Sequence, residues 1–204
     1  MAGRIVRGVV VGMALIGATF LAACDPVGLT VGAGATVGLA GAQERGLKGT
    51  ASDARIYTEI NSRWLAQSFD LFRSVGLSVV EGRVLLTGNV KAPDTRVEAV
   101  RIAWAVDGVK EVINEIEVTE RGGLADSARD AWISTQLKTR LTFDREVQAI
   151  NYTIDTVNGT VYVIGLAQTD AELDRVINHA RNISYVRRVV SHVRLKNDPK
   201  RFDS

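Results

Sequence analysis

Cys24 is the residue whose type and setting define a chemistry most sharply. It is the single cysteine of the chain and follows Leu21, Ala22 and Ala23 at the end of an apolar run that begins at Val9. Arg4 and Arg7 precede the run, and no acid occurs before it, which is the pattern of a secretory signal ending in a lipobox. The run is shorter than the roughly 20 residues that cross a bilayer, so residues 1–23 are read as a cleaved signal peptide, not a membrane helix. The thiol of Cys24 would then carry a diacylglycerol and the new amino group a further chain. Each buried CH₂ contributes about 0.8 kcal/mol, so two or more chains anchor stably. Acylation consumes the thiol and leaves no disulfide chemistry. Removing the two arginines takes the formal charge from +2 to neutral, without the basic footprint expected of a nucleic-acid binder.

Catalytic chemistry is harder to place. His179 and His192 are the two histidines, and no second cysteine or acid cluster stands around them at metal-ligand spacing. Gly82 and Gly88 read as hairpin glycines, because no helix follows them directly as a phosphate loop requires. No set of nucleophile, base and orienting group can be nominated. The expectation is a chain that is not an enzyme and holds no metal and no cofactor.

A different chemistry is legible between Ser127 and Phe143. Ile133, Leu137 and Leu141 recur every four residues and form a helical core stripe. Trp132, Gln136, Thr139, Arg140 and Phe143 then lie on an adjoining face. Two aromatics with a cation between them suit a bilayer interface, where indole rings settle among headgroups and basic groups meet lipid phosphate. The competing reading is that Trp132 covers a contact between domains.

The elements that position these residues come from a duplication. Ile56, Ile60, Gly82, Val84, Gly88, Ala103, Val109 and Val112 fall on Ile133, Leu137, Gly159, Val161, Gly165, Ala180, Val186 and Val189, each displaced by 77. Residues 51–120 and 127–196 are therefore expected to be copies, with 197–204 as a tail. Residues 24–50, rich in glycine, are expected to form a tether, with Val31 to Ala42 either flexible or resting on lipid or a partner.

Each copy opens with a helix, for which Asp53, and Ser127 or Asp130, are candidate caps. Two strands follow, joined by Glu81-Gly82 or Asn158-Gly159, the latter a strong hairpin signal. A second helix spans Pro93 to Val106, or Thr169 to Ile183. A last strand spans Val109 to Val118, or Val186 to Leu195. The predicted fold class is α+β: two tandem αββαβ units, each a three-stranded mixed sheet against two helices.

Comparison of the copies isolates the second. Trp132 and Arg140 correspond to Arg55 and Arg63, and Phe143 to Ala66, so the aromatic pair belongs to the second copy alone. Residues 51–120 hold eight basic and eleven acidic side chains, a balance of −3. Residues 127–204 hold twelve and nine, a balance of +3. An anionic surface attracts the second copy, by roughly 1 kcal/mol per well-placed cation.

The Gly82 turn, the run Val84-Leu85-Leu86-Thr87-Gly88, the run Val106-Asp107-Gly108-Val109-Lys110-Glu111-Val112-Ile113-Asn114-Glu115-Ile116, and Asn158-Gly159-Thr160-Val161-Tyr162-Val163-Ile164-Gly165 resemble the BON domain. With a lipobox in front, the whole resembles the dual-BON-domain (DolP-type) lipoproteins of Gram-negative envelopes. The resemblance implies a lipoprotein on the periplasmic face of the outer membrane that maintains envelope integrity and concentrates at division sites. It also implies binding to anionic phospholipid through the first helix of the second domain. Outer-membrane assembly proteins or other envelope lipoproteins are the alternative partners. Two departures stand out: Tyr185 occupies the place of Gly108, and Thr142 stands at an aliphatic position of the family's lipid-contacting helix. Asp25, directly after the lipidated cysteine, resembles an inner-membrane retention signal and competes with the outer-membrane address.

Overall fold

The computed structural model describes residues 43–119 and 124–202. The expected signal peptide, Cys24, Asp25 and the part of the expected tether up to residue 42 lie outside the described residues. The first unit opens with α1 (Gly46–Gln67), continues through a short α2 (Phe69–Ser74), the hairpin β1 (Val75–Val80) and β2 (Arg83–Val90), then α3 (Pro93–Trp104), β3 (Glu111–Asn114) and β4 (Glu117–Val118). The second unit runs α4 (Leu124–Phe143), β5 (Tyr152–Val157), β6 (Thr160–Ala167), α5 (Asp170–Arg181) and β7 (Arg188–Leu195). In both, the hairpin is antiparallel and the last strand joins its second strand in parallel, after a helical crossover.

The helices form for the reasons the spacing suggests. Ile56, Ile60 and Trp64 of α1, and Ile133, Leu137 and Leu141 of α4, are fully buried against their sheets. Helix α5 starts on a capping residue: Thr169 accepts from the Glu172 backbone N–H at 3.1 Å. Glu172, itself buried, accepts from the backbone N–H groups of Gln148 and Gln168 and so ties the preceding loops to the helix start. Helix α2 was not anticipated; Ser68 caps it by accepting from Leu71 N at 3.4 Å.

Two expectations need correction. Helix α1 begins at Gly46, inside the expected tether, so Asp53 lies in the helix interior and caps nothing. Instead its carboxylate reaches the hairpin and accepts from the Glu81 and Gly82 backbone N–H groups, both at 2.9 Å. Asp130 does the same for Asn158 and Gly159, at 2.7 and 2.8 Å. Each turn has left-handed backbone at both central residues, which is why glycine stands second, and its buried or half-buried amides need an acceptor. The last strand of the first unit is also broken. Asn114 Oδ1 accepts from Ile116 N at 3.1 Å, turning Ile116 into the core between β3 and β4, whereas β7 continues unbroken.

The two sheets then pack face to face. Val80 and Leu85 meet Val157, Tyr162, Ile164 and Leu166 in a shared apolar layer, flanked by Ile113 and Val190. His192 Nε2 bonds Glu115 Oε1 at 2.9 Å, and these two positions differ by 77, the offset of the duplication. Equivalent positions touch each other only near a twofold axis, so the seam is arranged like an isologous dimer interface within one chain. That arrangement gives each unit, near the lower size limit for an independent core, a second buried face.

Candidate functional site

Helix α4 of the second unit carries the candidate site. Trp132 and Phe143 are eleven residues apart, which at about 100° and 1.5 Å per residue puts them on one face about 16 Å apart. Trp132 is 43% exposed and Phe143 is 82% exposed, so the indole does not close the domain seam. Thr139 is exposed and its hydroxyl donates to the Thr135 carbonyl at 2.9 Å, a local helix bond. Gln136 is half-buried between them. Arg140 is exposed, and its Nη1 donates to the Asn182 carbonyl at 3.0 Å, beyond the end of α5.

The equivalent face of the first unit explains what differs. There Arg55 and Arg63 flank Glu59, with N···O distances of 3.7 and 2.5 Å. Arg63 also donates to the Ala105 carbonyl at 2.9 Å, the counterpart of the Arg140 bond. That face is a closed network of cations around one carboxylate. In α4 the carboxylate is replaced by Gln136 and one cation by Trp132, so Arg140 keeps its backbone anchor but loses the acid that would neutralise it.

The sequence reading missed two members. The Tyr185 ring lies edge-on to Trp132 at a centroid distance of 6.1 Å and is itself 66% exposed. Arg129, one turn before Trp132, places its guanidinium 5.3 Å from the centre of the Tyr185 ring, a cation–π contact, while pairing with Asp126 at 3.0 Å. The available signal was the exchange at the loop before the last strand. Gly108 has φ +92, with its carbonyl crowding the hairpin glycine Gly82, and Tyr185 adopts φ +70 in the matching place against Gly159. A bulky residue held in left-handed backbone is strained, and such strain accumulates at functional positions.

His179 bonds Asp144 at 2.6 Å, a carboxylate that Arg175 also approaches at 3.8 Å, and His192 bonds Glu115 at 2.9 Å. Among the described residues no helix is long and apolar enough to cross a membrane.

The family model of the BON domain matches residues 52–120 and 129–197. This chain belongs to the BON-domain family. A protein of Anaplasma centrale, described as an uncharacterized protein in the gshII 5′ region, is 42% identical over 73% of this chain and 98% of its own length. The outer membrane lipoprotein DolP of Haemophilus influenzae is 34% identical over 53% of this chain and 56% of its own. A 21 kDa hemolysin of Actinobacillus pleuropneumoniae is 31% identical over 71% of this chain and 77% of its own. The α4 face lies in the second BON unit, whereas Arg55, Glu59 and Arg63 lie in the first.

Proposed function

We propose that this BON-domain protein is a non-catalytic envelope lipoprotein, anchored through acylated Cys24, that binds anionic phospholipid through the exposed face of α4. The observation that carries the reading is the exposed set Trp132, Tyr185 and Phe143 with Arg129 and Arg140, at positions where the first unit has Arg55, Gly108, Ala66, Ser52 and Arg63. Aromatic rings partition to the headgroup layer, and the Arg140 guanidinium, which has no acid partner among the described residues, is free to meet lipid phosphate. Gln136 and Thr139 complete the face as polar, uncharged groups.

The described chain enters the fold at Gln43 and Glu44. Gln43 Nε2 donates to the Ile150 carbonyl at 3.2 Å, and the Glu44 backbone N–H donates to Asn151 at 2.9 Å. The chain coming from Cys24 thus meets the domains beside the α4–β5 connection, a few residues past Phe143.

The outer membrane is the proposed address, on the strength of the H. influenzae relative, with Asp25 the feature that would argue for the inner membrane. Support of envelope integrity, including at division sites, is the role this binding would serve. Flotation with vesicles containing phosphatidylglycerol tests the site: a folded Trp132→Glu, Arg140→Glu variant should stay at the bottom of the gradient. Undiminished flotation rejects it. The second reading is a scaffold for outer-membrane assembly proteins or other lipoproteins, using the first unit's exposed Phe69, Val97 and Trp104. One dominant protein crosslink in cells, persisting in that variant, would favour it.

A further inference from the structure

Away from α4, the domain seam encloses a charged cleft of about 220 Å³. Five cations line it, Arg83, Lys110, Arg194, Lys200 and Arg201, against two carboxylates, Glu81 and Glu111. The side chains of Arg83 and Arg201 are more than nine-tenths buried, at 7% and 8% exposure. Both carboxylates are already engaged. Arg201 forks onto Glu81 with bonds of 2.7 and 2.9 Å. Glu111 Oε2 accepts from Arg83 Nε at 2.8 Å and Arg194 Nη2 at 2.9 Å. Burial opposes its charge, but Arg83, Arg194 and His192 outweigh burial and hold the Glu111 carboxyl below its ordinary value.

Three donors remain unanswered. Arg83 Nη1 donates to the His192 carbonyl at 2.9 Å, but Nη2 has no acceptor among the described residues. Lys110, whose stem lies along Gly82, and Lys200 have no carboxylate within ion-pair distance among the described residues. The excess of three positive charges converges on a space that would hold several waters, at about 30 Å³ each. Lys200 and Arg201 lie beyond residue 197, where the family match ends, on a 3₁₀ turn (Pro199–Arg201) that closes the cleft.

We propose that this cleft binds a phosphate group, with Arg83, Lys110 and Lys200 as its donors and the docked sheets as its frame. A tetrahedral oxyanion has enough acceptors to satisfy a guanidinium and two ammonium groups at once, through short charge-assisted bonds. The phosphate is either free in solution or carried by a lipid headgroup. Because Arg83 and Lys110 come from the first unit and Lys200 from beyond the second, occupancy favours the closed seam.

The test uses the full chain in detergent, titrated calorimetrically with inorganic phosphate at constant ionic strength. Saturable binding is expected, at least about tenfold weaker in a Lys110→Ser, Lys200→Ser variant, the loss expected of a single charge-assisted contact. Both lysines are exposed and unpaired, so the variant should melt with the wild type in the absence of phosphate. Displacement of phosphate by phosphatidylglycerol vesicles supports the cleft with a headgroup as source. Saturable binding that vesicles leave intact supports it with soluble phosphate. Heats that do not saturate, or equal affinity in the variant, overturn the proposal. The Trp132→Glu, Arg140→Glu variant should bind phosphate normally, which separates this cleft from the α4 face.

Discussion

Replacing Tyr185 by glycine, the residue of the first unit at that place, should separate stability from membrane binding. The tyrosine sits at φ +70, and left-handed backbone costs a side-chain-bearing residue about 1–2 kcal/mol, which glycine would relieve. Against that gain stand the edge contact with Trp132, worth about 0.5–1.5 kcal/mol, and an exposed cation–π contact with Arg129, about 0.5–1 kcal/mol. Glycine also frees the unfolded chain, by about 0.4–1 kcal/mol. These contributions leave the folding free energy within about 2.5 kcal/mol of the wild type, measurable by urea unfolding. Binding should respond otherwise. With 66% of the residue exposed and aromatics burying at least about 150 Å², the ring offers roughly 100 Å² to a membrane. Half-immersion is worth about 1.2 kcal/mol at 25 cal/mol per Å², a loss of about 5- to 10-fold in vesicle affinity. Flotation or fluorescence titration with anionic vesicles reads it. A variant that loses well over about 2.5 kcal/mol of stability and binds vesicles as before would refute the reasoning, because Tyr185 would then be a packing residue.

Three further outcomes test the fold's devices. Asp53→Ala should cost about 2–4 kcal/mol in urea unfolding, since it strands two turn amides and the Arg45 guanidinium 2.8 Å away; Asp130→Ala should cost less, because that carboxylate is less buried and is bound by amides alone. Asp155, across the seam from Thr87, has its carboxyl held above its ordinary value by burial, although the Thr87 hydroxyl and the Thr156 amide oppose the shift. The folded state therefore holds that proton more tightly than the unfolded state; the stabilisation is complete below the ordinary carboxylate range and is lost as pH rises through the raised value. Asp155→Asn should raise the melting temperature near neutral pH and lose its advantage on acidification, and a difference that does not change with pH would contradict this. Gly88→Ala and Gly165→Ala should each destabilise by about 1–3 kcal/mol in thermal unfolding, because the new Cβ would stand 2.3 Å from the Ser74 or Asn151 carbonyl oxygen.

The duplication, the αββαβ order and the buried stripe Ile133, Leu137, Leu141 were determined by the sequence alone, because periodicity and turn glycines are local properties that one chain displays directly. The α4 face was legible as a list of residues for the same reason: helical spacing alone aligns Trp132 with Phe143. What escaped were partners distant in sequence. Asp53 and Asp130 look like helix caps by type, and become turn clamps because each hairpin folds back over its helix. Tyr185 looked like a departure from the glycine pattern until the last-strand loop brought its ring to Trp132. That units of about seventy residues should pack on each other follows from their size, but the geometry of the seam was beyond reach: which faces meet, and which of Arg83, Arg194 and Arg201 pair with Glu81 or Glu111, depends on docking two units some 77 residues apart. Tertiary structure decided those contacts because side-chain burial and charge pairing depend on distance in space, and a repeat specifies each unit twice without specifying how the two meet.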